Sequence, residues 1–254
     1  MADNLGYLYA LDYKANKIIW AKNYKIPFRS NLKIFSDKII VADQNNSLYI
    51  LNKSDGTIKK QIPTEEAPLK NNYVNSLAIN EDSLFFLNTY GSLYSISKKN
   101  SKINWFINLN KSVDVNPSNL FYSNPIIIFK NQIIISTNPD LYLVDAKTGS
   151  TISKNSIISI VKPIVSGENI FLITNENLLV CIDLISGEIK YSLDISEEIG
   201  NFLETENKSI IVRSLSLVNN NLFVFLNNSY LVKFNSKGKI YNINKLPEKI
   251  GTFP

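Results

Sequence analysis

The chain has 254 residues, of which 44% are hydrophobic, and it carries 27 Lys and Arg against 22 Asp and Glu, a formal net charge of +5. This length allows one sizeable core, and all-β domains of this size are commonly undivided. The excess is mostly lysine spread through turns and strand ends, which is typical of a solvated surface and argues against nucleic-acid binding. No signal-peptide pattern opens the sequence, and no apolar run approaches the ~18 residues of a transmembrane helix.

One pattern returns along the whole sequence. A mostly apolar pentapeptide, first seen as Leu-Tyr-Ala-Leu-Asp, begins at residues 8, 48, 93, 141, 179 and 231. Successive copies are therefore 40, 45, 48, 38 and 52 residues apart. A variable period of this size fits the blades of a β-propeller, which have roughly 40–50 residues, better than a helical solenoid of fixed repeat length.

Three more strand-like segments lie between each pair of pentapeptides. The connections are short and contain Gly or Asn, which predicts antiparallel hairpins, since parallel strands need much longer crossovers. No segment shows an apolar period of 3.6 residues, so we expect very little helix. After a leading half unit, the predicted strands are 31–35, 38–43, 47–52 and 57–62; 76–79, 83–88, 92–97 and 102–109; 125–129, 132–137, 141–145 and 150–153; 162–165, 170–174, 178–183 and 188–193; and 214–218, 222–226, 230–235 and 239–243.

The pentapeptide strand is apolar on both of its faces. Such a strand needs a sheet packed on each side, which radially stacked blades provide. The sequence therefore predicts an all-β propeller of four-stranded antiparallel blades. The turn after the pentapeptide carries a residue suited to left-handed backbone at Asn16, Gly56, Ser101, Gly149 and Gly187. The predicted boundaries are a half blade at 1–26, five blades at about 27–64, 65–111, 112–156, 157–196 and 197–247, and the start of a further strand at 248–254.

The first unit begins late in the repeat. Ala2-Asp3 aligns with Ala42-Asp43, which closes the second strand of the next unit. We therefore expect a fragment of a longer protein, with the total blade number open and a lipid anchor possible in a missing N-terminus. A four-stranded sheet around Gly6–Trp20 would need strands from a distant part of the chain or from another molecule.

Several kinds of chemistry are excluded or disfavoured. The chain has no histidine, which excludes Ser-His-Asp and Cys-His nucleophilic systems and His-containing zinc sites. Its one cysteine, Cys181, shares a column with Ala10, Ile50 and Leu143, so we expect it in the core. Glycine-rich phosphate-binding motifs are absent. We therefore predict no catalytic residue, no cofactor site and no metal site.

The carboxylates have structural interpretations. Aspartates that recur with the repeat are expected to accept hydrogen bonds in turns, namely Asp12, Asp145 and Asp183. The pairs Glu65-Glu66 and Glu197-Glu198 are expected to be solvated loop residues. The segment 43–47 faintly resembles a calcium loop but lacks the Gly and the distal Glu, so a hairpin turn is the better interpretation.

The longer links between units, near 63–75, 110–124 and 196–213, hold apolar residues among polar ones. Loops on a rigid scaffold commonly carry binding sites, although aromatic residues there can equally pack against neighbouring blades. The candidate partner-binding residues are Tyr73, Phe121, Tyr122, Phe202 and Leu203.

The string from Gly6 to Trp20, Gly-Tyr-Leu-Tyr-Ala-Leu-Asp followed by a turn and Lys-Ile-Ile-Trp, resembles the repeat of pyrroloquinoline-quinone-like (quinoprotein-type) β-propellers. Segments 145–149 and 183–189 match the same signature, and the resemblance covers essentially the whole chain. This chain departs from the family's pattern at the tryptophan column, the position where the family repeats a tryptophan. Trp20 and Trp105 fit it, whereas Lys60, Ser153 and Tyr191 replace it, which implies weaker docking between those blades.

This family contains quinone-dependent dehydrogenases with a calcium-ligating set and a catalytic Asp, and also catalytically silent envelope scaffolds of the BamB type. Because catalytic groups are missing, the resemblance implies a non-enzymatic scaffold in the periplasm and is compatible with an anchor to the outer membrane. The resemblance implies a protein partner, with a component of outer-membrane barrel assembly as the candidate. Two alternatives stay open: a quinone (PQQ)-dependent dehydrogenase or its inactive remnant, and a ligand-binding sensor domain of a larger receptor.

Overall fold

The computed structural model of the chain describes residues 1–66, 74–110, 120–204 and 210–248. Within these ranges it has 22 strands and one helix. A two-stranded sheet comes first, and five four-stranded sheets follow, each with its strands in chain order. These findings confirm the predicted series of antiparallel four-stranded units behind a shorter first one.

The strands fall into six sheets. The first sheet contains β1 (Tyr7–Asp12) and β2 (Lys17–Asn23). The second contains β3 (Lys33–Phe35), β4 (Lys38–Ala42), β5 (Leu48–Asn52) and β6 (Ile58–Ile62). The third contains β7 (Ser76–Ile79), β8 (Ser83–Leu87), β9 (Ser92–Ser97) and β10 (Ile103–Asn108). The fourth contains β11 (Ile127–Phe129), β12 (Gln132–Ser136), β13 (Leu141–Asp145) and β14 (Thr151–Asn155). The fifth contains β15 (Ile164–Ser166), β16 (Asn169–Ile173), β17 (Leu178–Asp183) and β18 (Ile189–Asp194). The sixth contains β19 (Val212–Val218), β20 (Asn221–Leu226), β21 (Tyr230–Asn235) and β22 (Ile240–Lys245).

The chain divides into two compact units. The first unit comprises residues 1–131 and 146–150, and the second comprises residues 132–145 and 151–254. Among the described residues, no helix is both long enough and apolar enough to cross a membrane.

The second sheet shows why the central strands are apolar on both faces. Alternate residues of β4 and β5 point to opposite sides of the sheet. Ile40 and Ile50 belong to a core cluster shared with the third sheet, whereas Val41 and Leu51 belong to a cluster shared with the first sheet. Each face is therefore covered by a neighbouring sheet, as the sequence pattern predicted. In the second unit, the fifth and sixth sheets share a comparable cluster.

The alignment of the first residues with the repeat is also confirmed. Ala2 pairs with Leu8 in the first sheet, just as Ala42 pairs with Leu48 in the second. Asp3 accepts hydrogen bonds from the turn that it opens.

An irregularity recurs at one position in all six sheets. Between the third and fourth strands of five sheets, and between β1 and β2 of the first sheet, the register shifts by one residue, so that the later strand carries an extra residue, a β-bulge. A bulge bends the edge strand and redirects the side chain that follows it. In five of the sheets this following residue is the tryptophan-column residue: Trp20, Lys60, Trp105, Ser153 and Tyr191.

In the first unit, each of these redirected side chains reaches the turn of the next sheet. Trp20 Nε1 donates to the main-chain oxygen of Lys53 at 3.1 Å, and Trp105 Nε1 donates to that of Ala146 at 3.3 Å. Lys60 Nζ donates to the main-chain oxygen of Ser101 at 2.6 Å. The receiving turn contains the predicted left-handed residue, with φ of 68° at Gly56, 56° at Ser101 and 78° at Gly149.

The second unit has no tryptophan at this position, and Tyr191 makes the contact instead. Tyr191 donates its hydroxyl to the main-chain oxygen of Ser236 at 2.9 Å. Ser153 lies against Gly187, where φ is 77° and where a Cβ would come within 2.5 Å of the Ser153 Oγ, but this oxygen has no hydrogen-bond partner among the described residues. Lys60 and Tyr191 therefore reach a main-chain acceptor as the tryptophans do, whereas Ser153 does not, and weaker docking at these three positions stays a prediction.

Carboxylates accept hydrogen bonds from tyrosines of the third strands. In the fourth sheet, Asp140 accepts hydrogen bonds from the Tyr142 hydroxyl at 3.2 Å and from the Ser156 Oγ at 3.1 Å, and it pairs with Lys154 Nζ at 2.8 Å. Burial alone would raise the pKa of Asp140, but the ion pair with Lys154 and these hydrogen bonds outweigh it and hold the pKa below its ordinary value.

Replacing Gly149 by alanine tests the docking contact. A Cβ at Gly149 would lie 2.7 Å from the indole atom Cε3 of Trp105, and φ there is 78°. The left-handed backbone costs about 1–2 kcal/mol for alanine, and the clash adds about 1–3 kcal/mol. We expect Gly149→Ala to lower the free energy of unfolding by about 2–5 kcal/mol in urea denaturation.

Gly167→Ala is the matched control, because its φ is 59° and nothing lies within 4 Å of the added Cβ. It should show only the backbone penalty of about 1–2 kcal/mol. Equal losses in the two variants would contradict a role for the contact with Trp105.

The fourth-sheet carboxylate predicts a pH effect. Because the folded state lowers the pKa of Asp140, its stabilisation is present above the ordinary carboxyl pKa and is lost as the pH falls through the folded value. Asp140→Asn should lower the free energy of unfolding at neutral pH by about 1–3 kcal/mol, and the difference from the unchanged protein should shrink in acid.

Asp37→Asn serves as the comparison for this pH experiment. Asp37 pairs with Lys59 on the surface, and exposed ion pairs contribute little to stability. If Asp140→Asn left the neutral-to-acid slope of the unfolding free energy unchanged, the proposed linkage would be wrong.

Candidate partner-binding surface

The five candidate partner-binding residues lie in three places. Phe121 and Tyr122 belong to the first unit, and Phe202 and Leu203 belong to the second. Tyr73 lies outside the described residues.

Phe121 packs within the fold. Its main-chain N–H donates to the oxygen of Thr89 at 2.7 Å, and its ring lies against Gly91, where a Cβ would come within 2.8 Å of Phe121 Cδ2. The ring is half-buried. Tyr122, the next residue, is 59% exposed. In this link, therefore, Tyr122 offers the accessible aromatic side chain and Phe121 anchors the segment that carries it.

The link of the second unit is partly helical, which corrects the expectation of a loop. Helix α1 (Ile195–Leu203) begins directly after β18. Asp194 caps it, because its Oδ1 accepts hydrogen bonds from the N–H groups of Ser196 at 2.7 Å and Glu197 at 3.2 Å. The sequence held this signal in an Asp followed three residues later by a Glu, together with isoleucines at positions 195 and 199.

The helix buries one side and exposes its last turn. Ile195 is buried in the core cluster of the second unit, and Ile199 packs against that cluster. Phe202 and Leu203 remain 45% and 47% exposed. The helix then ends at Glu204, whose backbone is left-handed with φ of 52°. Two large exposed apolar side chains are thus carried at the end of a short, capped helix.

This apolar pair has an acidic setting. Glu197 and Glu198 lie in the first turn of the helix, and its last turn carries no basic residue. The whole chain, by contrast, has a net charge of +5. The helix that carries Phe202 and Leu203 therefore differs in charge from the chain average.

Glu65 is exposed, as expected of a loop residue, but its carboxylate is held by hydrogen bonds from the third sheet. Its Oε1 accepts a hydrogen bond from the Ser92 Oγ at 2.7 Å, and its Oε2 accepts from the Tyr94 hydroxyl and from Asn88 Nδ2, both at 2.8 Å. Burial raises its pKa, but these hydrogen bonds lower it further, so that the net shift is downward.

Glu65 makes these hydrogen bonds because the turn of the third sheet lacks a carboxylate of its own. In the second sheet, Asp43 supplies the carboxylate for Tyr49, whereas the third sheet has Asn88 at the equivalent position. Glu65, from the preceding link, supplies the missing carboxylate.

The segment 43–47 is a hairpin turn. Asp43 Oδ1 accepts hydrogen bonds from the N–H groups of Asn45 at 2.8 Å and Ser47 at 2.9 Å, while Oδ2 accepts from the Tyr49 hydroxyl at 3.1 Å. Both carboxylate oxygens are therefore occupied by donors of the fold. Across the described ranges, no group of three or more Asp, Glu, Cys or His side chains could hold a metal ion. The segment 43–47 therefore does not fit the calcium site of a quinone-dependent enzyme.

The remaining candidate groups have structural settings. Asp12 and Asp183 accept main-chain hydrogen bonds in their turns, as predicted. Cys181 is buried in the core cluster of the second unit, and burial raises the pKa of its thiol. A buried thiol with a raised pKa is a poor nucleophile.

Comparisons with known proteins agree with the blade pattern. The chain is similar to BamB from Moraxella catarrhalis, whose crystal structure it matches with a TM-score of 0.77 at 13% identity, over 98% of this chain and 73% of that one. It is also similar to the computationally designed Ika8 protein, with a TM-score of 0.64 at 8% identity, over 88% of this chain and 63% of that one. At these identities the likenesses establish the fold, an all-β propeller.

No curated protein sequence matches the chain significantly. A family model does match: the one described as outer membrane protein assembly factor BamB covers residues 2–192. This match spans most of the sequence and includes the repeated strand-and-turn signature. The chain therefore belongs to the BamB family of β-propeller proteins with quinoprotein-like repeats.

Proposed function

We propose that this protein is a non-catalytic scaffold that binds a protein partner during the assembly of outer-membrane β-barrel proteins, in the bacterial periplasm close to the outer membrane. The match of the family model to residues 2–192 carries the proposal. The chemistry of the chain supports it, since the sequence has no histidine and its one cysteine is buried.

The partner is expected to contact apolar side chains on the links between blades. Phe202 and Leu203 form one contact point, and Tyr122 forms another, with Phe121 supporting it. Tyr73 is a further candidate on its own link. A few large apolar residues commonly supply most of the binding energy of an interface, and truncating one that matters costs about 2 kcal/mol or more.

A pull-down from bacterial envelope extracts tests this function. Tagged protein should recover a component of the barrel-assembly machinery, and the double variant Phe202→Glu with Leu203→Glu should lower that recovery by at least about tenfold, because it places charge in an apolar contact. Ile185→Glu is the control, since Ile185 is also an exposed apolar residue of the same unit, at 63%, but lies in the turn between β17 and β18.

Two results would contradict the proposal. Failure of the unchanged protein to recover any barrel-assembly component would remove the assignment to that process. Stoichiometric binding of pyrroloquinoline quinone with calcium, accompanied by dye reduction, would overturn the non-catalytic assignment. Circular dichroism of each variant separates loss of binding from loss of folding.

A further inference from the structure

The last strand of the third sheet, β10, differs in charge from the last strands of the other sheets. It has the sequence Ile-Asn-Trp-Phe-Ile-Asn and contains no charged residue. Each of the other last strands carries at least one lysine, namely Lys17 and Lys22 in β2, Lys59 and Lys60 in β6, Lys154 in β14, Lys190 in β18 and Lys245 in β22. Natural proteins commonly place lysine on edge strands, because a charge there opposes pairing with another molecule. The edge of β10 lacks this protection.

The outer edge of β10 presents main-chain hydrogen-bonding groups. The strand pairs with β9, and in the described part of the chain no second strand pairs with it. The N–H of Leu109 donates to the oxygen of Gly91 at 2.8 Å, so it points to the β9 side. Main-chain groups alternate between the two edges of a strand. The N–H and C=O groups of Phe106 and Asn108 therefore face away from β9.

A row of stacked aromatic rings crosses the third sheet and ends at this edge. The rings of Phe86 on β8 and Tyr94 on β9 have centroids 6.1 Å apart, and those of Tyr94 and Phe106 are 5.7 Å apart. Phe86 is fully buried, whereas Phe106 is 61% exposed. The last ring of the row therefore keeps most of its surface open to contact with a further strand.

The pairing of β10 is regular over the residues that face outward. Its bulge lies at Asn104, and the register from Trp105 to Asn108 is unbroken. The Asn104 side chain turns back onto its own sheet, where Nδ2 donates to the Oγ atoms of Ser83 and Ser95, both at 3.3 Å. Bulges are one means by which edges are protected from pairing. In β10 this protection is confined to the start of the strand.

We propose that β10 pairs antiparallel with β10 of a second copy of this chain, about a two-fold axis at Ile107, so that the third sheets of the two copies form one continuous sheet. In this register Phe106 of each copy lies opposite Asn108 of the other, and each such pair exchanges two main-chain hydrogen bonds. The two Ile107 residues lie opposite each other. The two Phe106 rings become diagonal neighbours on one face, at a spacing that aromatic side chains can bridge.

Charge and symmetry favour a second copy as the occupant of this edge. Like charges directly opposite each other destabilise a strand pair, and self-pairing of β6 would bring the lysines 59 and 60 of two copies together. Self-pairing of β10 brings no charges together between Ile103 and Asn108. A two-fold contact also uses the same edge of both copies, so it closes at two chains instead of extending. The inference is independent of the proposed function, because the contact involves neither Phe202 nor Leu203.

Sedimentation velocity over a concentration series tests the dimer. Strands this short bury less area than a standard interface, so we expect a dissociation constant on the order of 10–100 µM. The weight-average mass should rise from 28.8 kDa toward twice that value across this range. Phe106→Lys should weaken association by at least about tenfold, because it supplies the lysine that the other edges carry.

Ile58→Lys is the control for this experiment, since Ile58 is 52% exposed on the last strand of the second sheet. It should leave the dissociation constant unchanged, and circular dichroism of both variants confirms that they fold. A protein that stays monomeric up to about 1 mM, an assembly larger than a dimer, or equal effects of the two variants would overturn the proposal.

A cysteine at the two-fold axis tests the register. Opposite residues of a non-hydrogen-bonded pair have Cα atoms about 4.5 Å apart, which suits a disulfide, so Ile107→Cys should give a covalent dimer under mild oxidation. The native Cys181 is buried. Ile103→Cys is the control, because eight residues of strand would separate the two positions by roughly 26 Å. Cross-linking of Ile103→Cys as efficient as that of Ile107→Cys would contradict the axis and overturn the proposal.

Discussion

The arrangement of the sheets within each unit depends on the contact between the bulged edge strand of one sheet and the turn of the next. The extra residue in the fourth strand turns the following side chain out of its own sheet. The left-handed residue of the receiving turn leaves room for it and exposes a main-chain oxygen. A regular strand would aim the side chain elsewhere, and at Gly56, Gly149 and Gly187 a Cβ in the turn would occupy its place.

The binding surfaces depend on this arrangement. Once the central strands are covered on both faces, the links between blades are what the fold leaves free, and they are held at both ends by rigid sheets. The helix after β18 shows the result, since a capped helix of nine residues keeps Phe202 and Leu203 exposed while Ile195 stays in the core.

Much of the fold could be predicted from the sequence because it follows from local pattern. The pentapeptide period fixed the number of sheets, and the alternation of apolar residues predicted burial on both faces. The left-handed turn residues were predicted at Gly56 and Gly149 because few residue types suit that backbone.

The settings of some side chains depend on contacts that no local pattern contains. Glu65 is bound because Asn88, more than twenty residues later, lacks a carboxylate. Phe121 is half-buried because Gly91 makes room for its ring. Helix α1 was not predicted for another reason. Its capping signal is present in the sequence, but nine residues are too few to show a long apolar period. Of the candidate binding residues, exposure at Tyr122, Phe202 and Leu203 depended on such tertiary contacts and needed the structure.

The main-chain acceptor in the docking turn has a consequence for how such a sequence can diverge. A carbonyl oxygen is present whatever the side chain, so indole, amine and phenol groups can all satisfy it, as Trp20, Lys60 and Tyr191 do. The position that supplies the donor therefore tolerates several residue types, whereas the turn position is restricted to residues that suit left-handed backbone. The two sides of each contact between blades should differ in how many substitutions they tolerate. Such lopsided constraint is one physical route by which a fold persists in chains that share little sequence.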